Sequence, residues 1–112
     1  MITFQRMLNT GLRRWFTGSF AKKDCNHLDL IDLDVEPAAD VCEECVAIGS
    51  DWPALRMCLI CGSVGCCEEG NKHARKHFDD TGHPVMKPHL EPRARWMWCY
   101  VDEALLDLPE GR

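Results

Sequence analysis

Hydrophobic positions follow a helical period at one end of the chain and a strand period further on. Over residues 1–20, Phe4, Leu8, Leu12, Trp15 and Phe16 fall close to one helical stripe with arginines beside it, which predicts an amphipathic arm interrupted at Gly11. Residues 55–60 (LRMCLI) and 95–100 (RWMWCY) are β-rich runs of strand length, and VGC at 64–66, just after Gly62, suits the return of a tight hairpin. Residues 71–80 (NKHARKHFDD) predict the main helix: Asn71 offers a cap, the interior favours helix, and Thr81-Gly82 followed by His83-Pro84 ends it. Between arm and strands, Leu28, Leu30 and Leu33 alternate imperfectly with carboxylates up to Pro37, as in an extended lead-in. The fold class expected is α+β: a small antiparallel sheet packed on one main helix.

At 112 residues there is room for one such domain. The boundaries expected are a basic arm over 1–23, the domain over 24–108 and a tail over 109–112. Charge divides along the first boundary. Arg6, Arg13, Arg14, Lys22 and Lys23 give residues 1–23 a formal +5 with no acid, so the chain's net −5 leaves −10 for residues 24–112. An acidic main domain argues against binding a phosphate backbone, so no nucleic-acid partner is expected. The arm suits packing on its own domain, contact with a membrane surface or a partner, or a transit-like leader. No secretory leader and no membrane-spanning run is visible, so a reducing, cytoplasmic setting is expected.

Eight cysteines and five histidines are far above ordinary usage. In a reducing compartment, paired cysteines point to metal rather than to disulfides. Cys42-x-x-Cys45 and Cys58-x-x-Cys61 each present two sulfurs from one tight turn, and Cys66, His73, His77 and His83 follow within a short span. Soft thiolates with imidazoles select zinc. Helical spacing sets His73 and His77 on one side of the helix, and spacing alone would let one ion take both. A looser third set joins Cys25-x-His27 to Cys99 on the last strand, with Asp102 as the nearest group able to complete four donors. Such a site would tie together the two ends of a zinc-stapled domain holding two to three ions. Cys67 and His89 are left over, Cys67 as a tolerated free thiol.

Taken in order, Cys25-x-His27, Cys42-x-x-Cys45, the run LRMCLICGSVGC over 55–66, HARKHFDDTGHP over 73–84 and WCYVDE over 98–103 resemble the ubiquitin-protease-type (UBP) zinc finger, particularly its compact stand-alone bacterial versions. The resemblance spans about residues 25–106. It implies an interleaved arrangement, with Cys42, Cys45, Cys66 and His73 on one zinc and Cys58, Cys61, His77 and His83 on a second. In three-zinc members the early Cys-x-His pairs with two later cysteines; here Cys99 matches the first and Asp102 stands at the second.

The family is best known for capturing the free C-terminal tail of ubiquitin in an aromatic pocket with an arginine on the carboxylate. Here Cys66 is followed by Cys67, Glu68 and Glu69, where members commonly carry Gly-Arg-Tyr, and Arg56 stands at the usual pocket tryptophan, while Tyr100 matches a pocket tyrosine. Arg56 and Tyr100 are therefore the candidate partner-binding residues; Trp52, Trp96 and Trp98 could line a groove, though tryptophan in so small a domain is more often core. The function expected is a zinc-binding protein-interaction module without catalysis, docking a partner tail or surface, with ubiquitin bound weakly or not at all. The alternative is a zinc- and thiol-based redox-responsive regulator.

Overall fold

The structure, a computed structural model, describes residues 25 and 27–109. The amphipathic arm lies outside the described residues, as does most of the tail. A 3-10 turn (Leu28–Leu30) leads to α1 (Glu43–Ala47), β1 (Leu55–Cys58), β2 (Val64–Cys66), α2 (His73–Thr81), β3 (Val85–His89), β4 (Trp96–Cys99) and β5 (Ala104–Asp107). The strands form one antiparallel sheet in the order β2-β1-β3-β4-β5. The expected α+β class is therefore observed. Among the described residues no helix is long and apolar enough to cross a membrane.

Strand alternation sorts the side chains onto two faces. Met57, Val85, Met97, Cys99 and Ala104 are buried on one face with Leu59 and Leu108. This core lies beneath the lead-in, whose Ile31, Leu33 and Val35 pack against it, while Leu28 and Leu30 stay exposed. The inward-facing set thus differs from the alternation read in the sequence, because the 3-10 turn resets the phase. Backbone bonds fasten the lead-in to the β1–β2 turn: Asp32 N–H donates to the Leu59 carbonyl at 2.8 Å and Ala38 N–H to that of Gly62 at 2.8 Å. Gly62 sits at φ +85, and a Cβ there would overlap the Glu36 carbonyl, so the turn needs glycine twice over.

Arg56, Met86, Trp96, Trp98 and Leu105 lie at the alternate positions, and α2 packs against β2 and β1. Gly65 lets the helix approach: a Cβ there would stand 2.6 Å from the Ala74 nitrogen. The expected helix cap is not formed. Lys72 adopts a left-handed conformation at the N-cap, and the His73 N–H donates instead to Cys66 Sγ at 3.3 Å. Asn71 is drawn elsewhere, its Nδ2 donating to Ser50 Oγ at 2.9 Å and to Cys45 Sγ at 3.4 Å.

Candidate metal centres and an adjoining groove

The structure gathers the sequence-picked donors into three groups, each with its four ligand atoms within 4.8 Å of one another. Cys42, Cys45, Cys66 and His73 form the first. Cys42 caps α1 and Cys45 lies within it, the end of β2 supplies Cys66, and α2 opens with His73. His73 Nδ1 stands 3.2 Å from Cys42 Sγ, 3.4 Å from Cys45 Sγ and 3.4 Å from Cys66 Sγ. All three cysteines are completely buried.

Cys58, Cys61, His77 and His83 form the second group. The β1–β2 hairpin carries both sulfurs; His77 lies one turn into α2 and His83 just past its end. Cys58 Sγ is 3.6 Å from His83 Nδ1, and Cys61 Sγ is 3.4 Å from His77 Nε2. Although one turn apart on α2, His73 and His77 serve different groups, so the single-ion alternative left open by helical spacing is not the one the fold assembles.

The third group joins Cys25, His27, Cys99 and Asp102. His27 Nδ1 is 3.6 Å from Cys25 Sγ and 3.5 Å from Cys99 Sγ, but only 2.9 Å from Asp102 Oδ2. Two donors around zinc at tetrahedral angles, with sulfur at about 2.3 Å and nitrogen at about 2.05 Å, stand about 3.6 Å apart. The sulfur–nitrogen spacings of all three groups lie close to this, whereas the His27–Asp102 spacing is that of a direct hydrogen bond.

The electrostatics of the first two groups call for a cation. Burial pushes the Cys42 thiol up to about 11 and raises Cys58 and Cys25 as well. At Cys45 burial acts in the same sense, but hydrogen bonds from Asn71, Cys42 and Cys66 outweigh it and lower the thiol. Burial and the neighbouring His83 lower His77, favouring the neutral imidazole that a metal needs. Thiols packed this closely are ionised together only beside a divalent cation.

The family described as "Zn-finger in ubiquitin-hydrolases and other protein" matches residues 42–110. The chain belongs to this zinc-finger family. Ubiquitin carboxyl-terminal hydrolase 16 of Danio rerio is 42% identical over 52 residues, spanning 44% of this chain and 6% of that protein. Ubiquitin carboxyl-terminal hydrolase 14 of Schizosaccharomyces pombe is 40% identical over 76 residues, spanning 59% and 9%. BRCA1-associated protein of Homo sapiens is 43% identical over 62 residues, spanning 55% and 9%. The chain thus corresponds to under a tenth of each of these three relatives. A compact solved structure, the solution NMR structure of protein RPA1320 from Rhodopseudomonas palustris, is 44% identical with a TM-score of 0.68 and covers 80% of this chain and 92% of its own. The domain is a zinc-binding module, and its sulfur and imidazole donors fit that ion.

Beside the metal groups, the helix-bearing face of the sheet opens into a groove of about 480 Å³. Trp96, Trp98 and Leu105 form one wall, Arg56 and Met86 the floor, and Tyr100, Arg75, Glu68 and Glu69 the side nearest α2. Both candidate partner-binding residues, Arg56 and Tyr100, therefore line it. Burial with Glu68 nearby pushes the Tyr100 phenol up to about 12, keeping it a hydrogen-bond donor. Of the two readings of these three tryptophans, the groove holds for Trp96 and Trp98, which are half-buried there, whereas Trp52 packs on the buried cluster of Cys42, Cys45, Leu55 and Cys66. Their alternation with buried Met97 and Cys99 along β4 was the available signal. Cys67 is buried in the groove wall, outside all three donor groups. His89 reaches back to the lead-in, its Nε2 standing 2.7 Å from Asp40 Oδ1.

Proposed function

We propose that this chain is a zinc-stapled protein-interaction module whose groove docks a partner's tail or surface, and that it is not itself an enzyme. Cys42, Cys45, Cys66 and His73 hold one zinc, Cys58, Cys61, His77 and His83 a second, and Cys25, His27, Cys99 and Asp102 a third, weaker one. The observation that carries the docking reading is the open groove, with Arg56, Trp96 and Trp98 on strands whose ends the donor groups pin and Tyr100 just beyond β4. A concave, largely apolar surface with a few placed polar groups is the usual form of a recognition site. Strands held rigidly by metal keep its aromatic side chains in place before a partner arrives.

Ubiquitin's terminal carboxylate is poorly served by this groove, because Glu68 and Glu69 line it. Calorimetry with ubiquitin, and with ubiquitin lacking its last two glycines, should give no tail-dependent binding tighter than about 0.1 mM. For the docking reading, peptides selected from a random library on the zinc-loaded chain should lose binding when Trp98→Ala is introduced at unchanged zinc content. Selected peptides that bind that variant equally well would overturn it. We place the protein in the cytoplasm, where its free thiols stay reduced.

A second reading, thiol-based redox response, is favoured by one observation: Cys61 is exposed while its partner Cys58 is buried. A peroxide would oxidise the two thiolates to a disulfide, itself reduced to water, and release zinc. Zinc release at mild peroxide levels that do not denature the chain would support it.

A further inference from the structure

Both arginines of the groove are engaged by carboxylates of the same chain. Arg56 Nη1 donates to Glu91 Oε2 at 3.1 Å and to the Leu55 carbonyl at 2.9 Å, while its guanidinium lies 5.1 Å from the centre of the Trp96 ring. Arg75 stands 4.0 Å from Glu68 and 5.8 Å over Tyr100, whose ring also stacks on Phe78 at 5.0 Å. An incoming carboxylate must displace Glu91 from an arginine side chain only 17% exposed. The displaced group stays tethered beside it, so one anion would be exchanged for another with both held close together.

What is left over has the opposite character. Glu69 is an exposed carboxylate in the groove wall, with no ion pair or hydrogen bond to any described residue. Trp98 is half-buried in the same groove, and among the described residues no arginine lies over its ring, unlike those of Trp96 and Tyr100. Two arginines against Glu68, Glu69 and Glu91 leave the groove one net negative charge. An indole face and an unpaired carboxylate lining one groove both attract a cation, the first by its ring quadrupole and the second by its charge.

We propose that the groove takes an internal segment of a partner protein presenting a lysine or arginine between small residues, with the cation drawn to Trp98 and Glu69. An internal segment brings no terminal carboxylate to meet Glu68, Glu69 and Glu91. Small neighbours suit a groove of about 480 Å³, which accommodates a few residues rather than a folded surface. This rests on the reading of the groove as a docking surface and names the chemistry of what docks.

The test uses three short peptides on the zinc-loaded, isotope-labelled full chain, followed through the indole N–H resonances of Trp96 and Trp98. The first is acetyl-Gly-Ala-Lys-Ala-Gly-amide, the second replaces lysine by norleucine, and the third is the norleucine peptide with a free C-terminal carboxylate. The lysine peptide should bind about fivefold more tightly than its norleucine analogue, and the free acid more weakly than either. Glu69→Gln, an exposed change that should leave zinc content untouched, should abolish the preference for lysine. Glu91→Gln should instead improve binding of the free acid. Tighter binding of the free acid than of the amide, or an undiminished lysine preference in Glu69→Gln, overturns the proposal while leaving the groove a docking site. Unmoved indole resonances with all three peptides at about 5 mM also overturn it. The docking reading itself stands or falls separately, on whether library-selected peptides depend on Trp98.

Discussion

At the His73 group three sulfurs converge on one imidazole nitrogen, and Cys42, Cys45 and Cys66 have no exposed surface at all. At the His27 group two sulfurs share the imidazole with a carboxylate, and the side chains of His27 and Asp102 keep 27% and 30% of their surface. The two groups offer equal numbers of donors but differ in what they can do for one another. Imidazole and carboxylate satisfy each other directly at 2.9 Å. Three thiols around one nitrogen have no comparable internal partner, since sulfur is a weak donor and a weak acceptor. Donor count therefore does not rank metal sites. Burial, and the ability of the donors to pair without the ion, decide which site the fold depends on.

The largest expected effect is at the buried group. Cys66→Ser removes one of its three sulfurs and the acceptor of the first α2 N–H. A structural zinc contributes on the order of 10 kcal/mol, comparable with the whole stability of a small domain. The variant should lose zinc and give an unfolded circular dichroism spectrum at 25 °C. A native spectrum would break the comparison at its stronger end.

Next comes Gly65→Ala, which touches no donor but puts a Cβ against the backbone of His73 and Ala74. Moving α2 outward should cost about 1–3 kcal/mol and draw His73 away from its sulfurs. Its thermal midpoint should fall and zinc should leave at lower chelator concentration. A loss of stability with metal retention unchanged would show that the helix tolerates the shift without carrying His73 along.

Asp102→Ala should cost about 1 kcal/mol, because a half-exposed pair at the chain's end is lost rather than a buried centre. During graded chelation the parent chain should surrender metal from the His27 group first, and Asp102→Cys, with a third sulfur there, should delay that step. If metal leaves the His73 group first in the parent, the ranking by burial is wrong. The smallest effect is expected from Cys67→Ser, which should leave zinc content unchanged because that sulfur belongs to none of the three groups. Loss of one zinc equivalent on this change would redraw the donor sets.

Features carried by a few neighbouring residues were legible in the chain itself. The two Cys-x-x-Cys turns, the β-rich runs that became β1 and β4, the return strand β2 and the helix α2 depend on spacing, propensity and glycine placement that any short window contains. Strand β3 (Val85–His89) escaped notice because Lys87 and Pro88 blur its pattern, and β5 (Ala104–Asp107) because four residues give too short a period to recognise. Asn71 held the right residue type for a cap, yet its amide turns to Cys45 and Ser50, since a sulfur from β2 already meets the first helical N–H.

Only tertiary structure decided how the donors are shared and what the aromatic residues do. His73 and His77 are neighbours on α2, but β2 and the α1 turn meet the helix at its start while the β1–β2 hairpin meets it one turn on. Chain spacing alone leaves that division open, because it depends on where distant strands contact the helix. In the same way, β4 reads as one hydrophobic run, and nothing local says which face is core. The lead-in from residues 31–35 covers Met97 and Cys99, so Trp96 and Trp98 are left to the groove. Composition set how much apolar surface the chain carries, and the packing of remote segments set which part of it is buried and which part is offered to a partner.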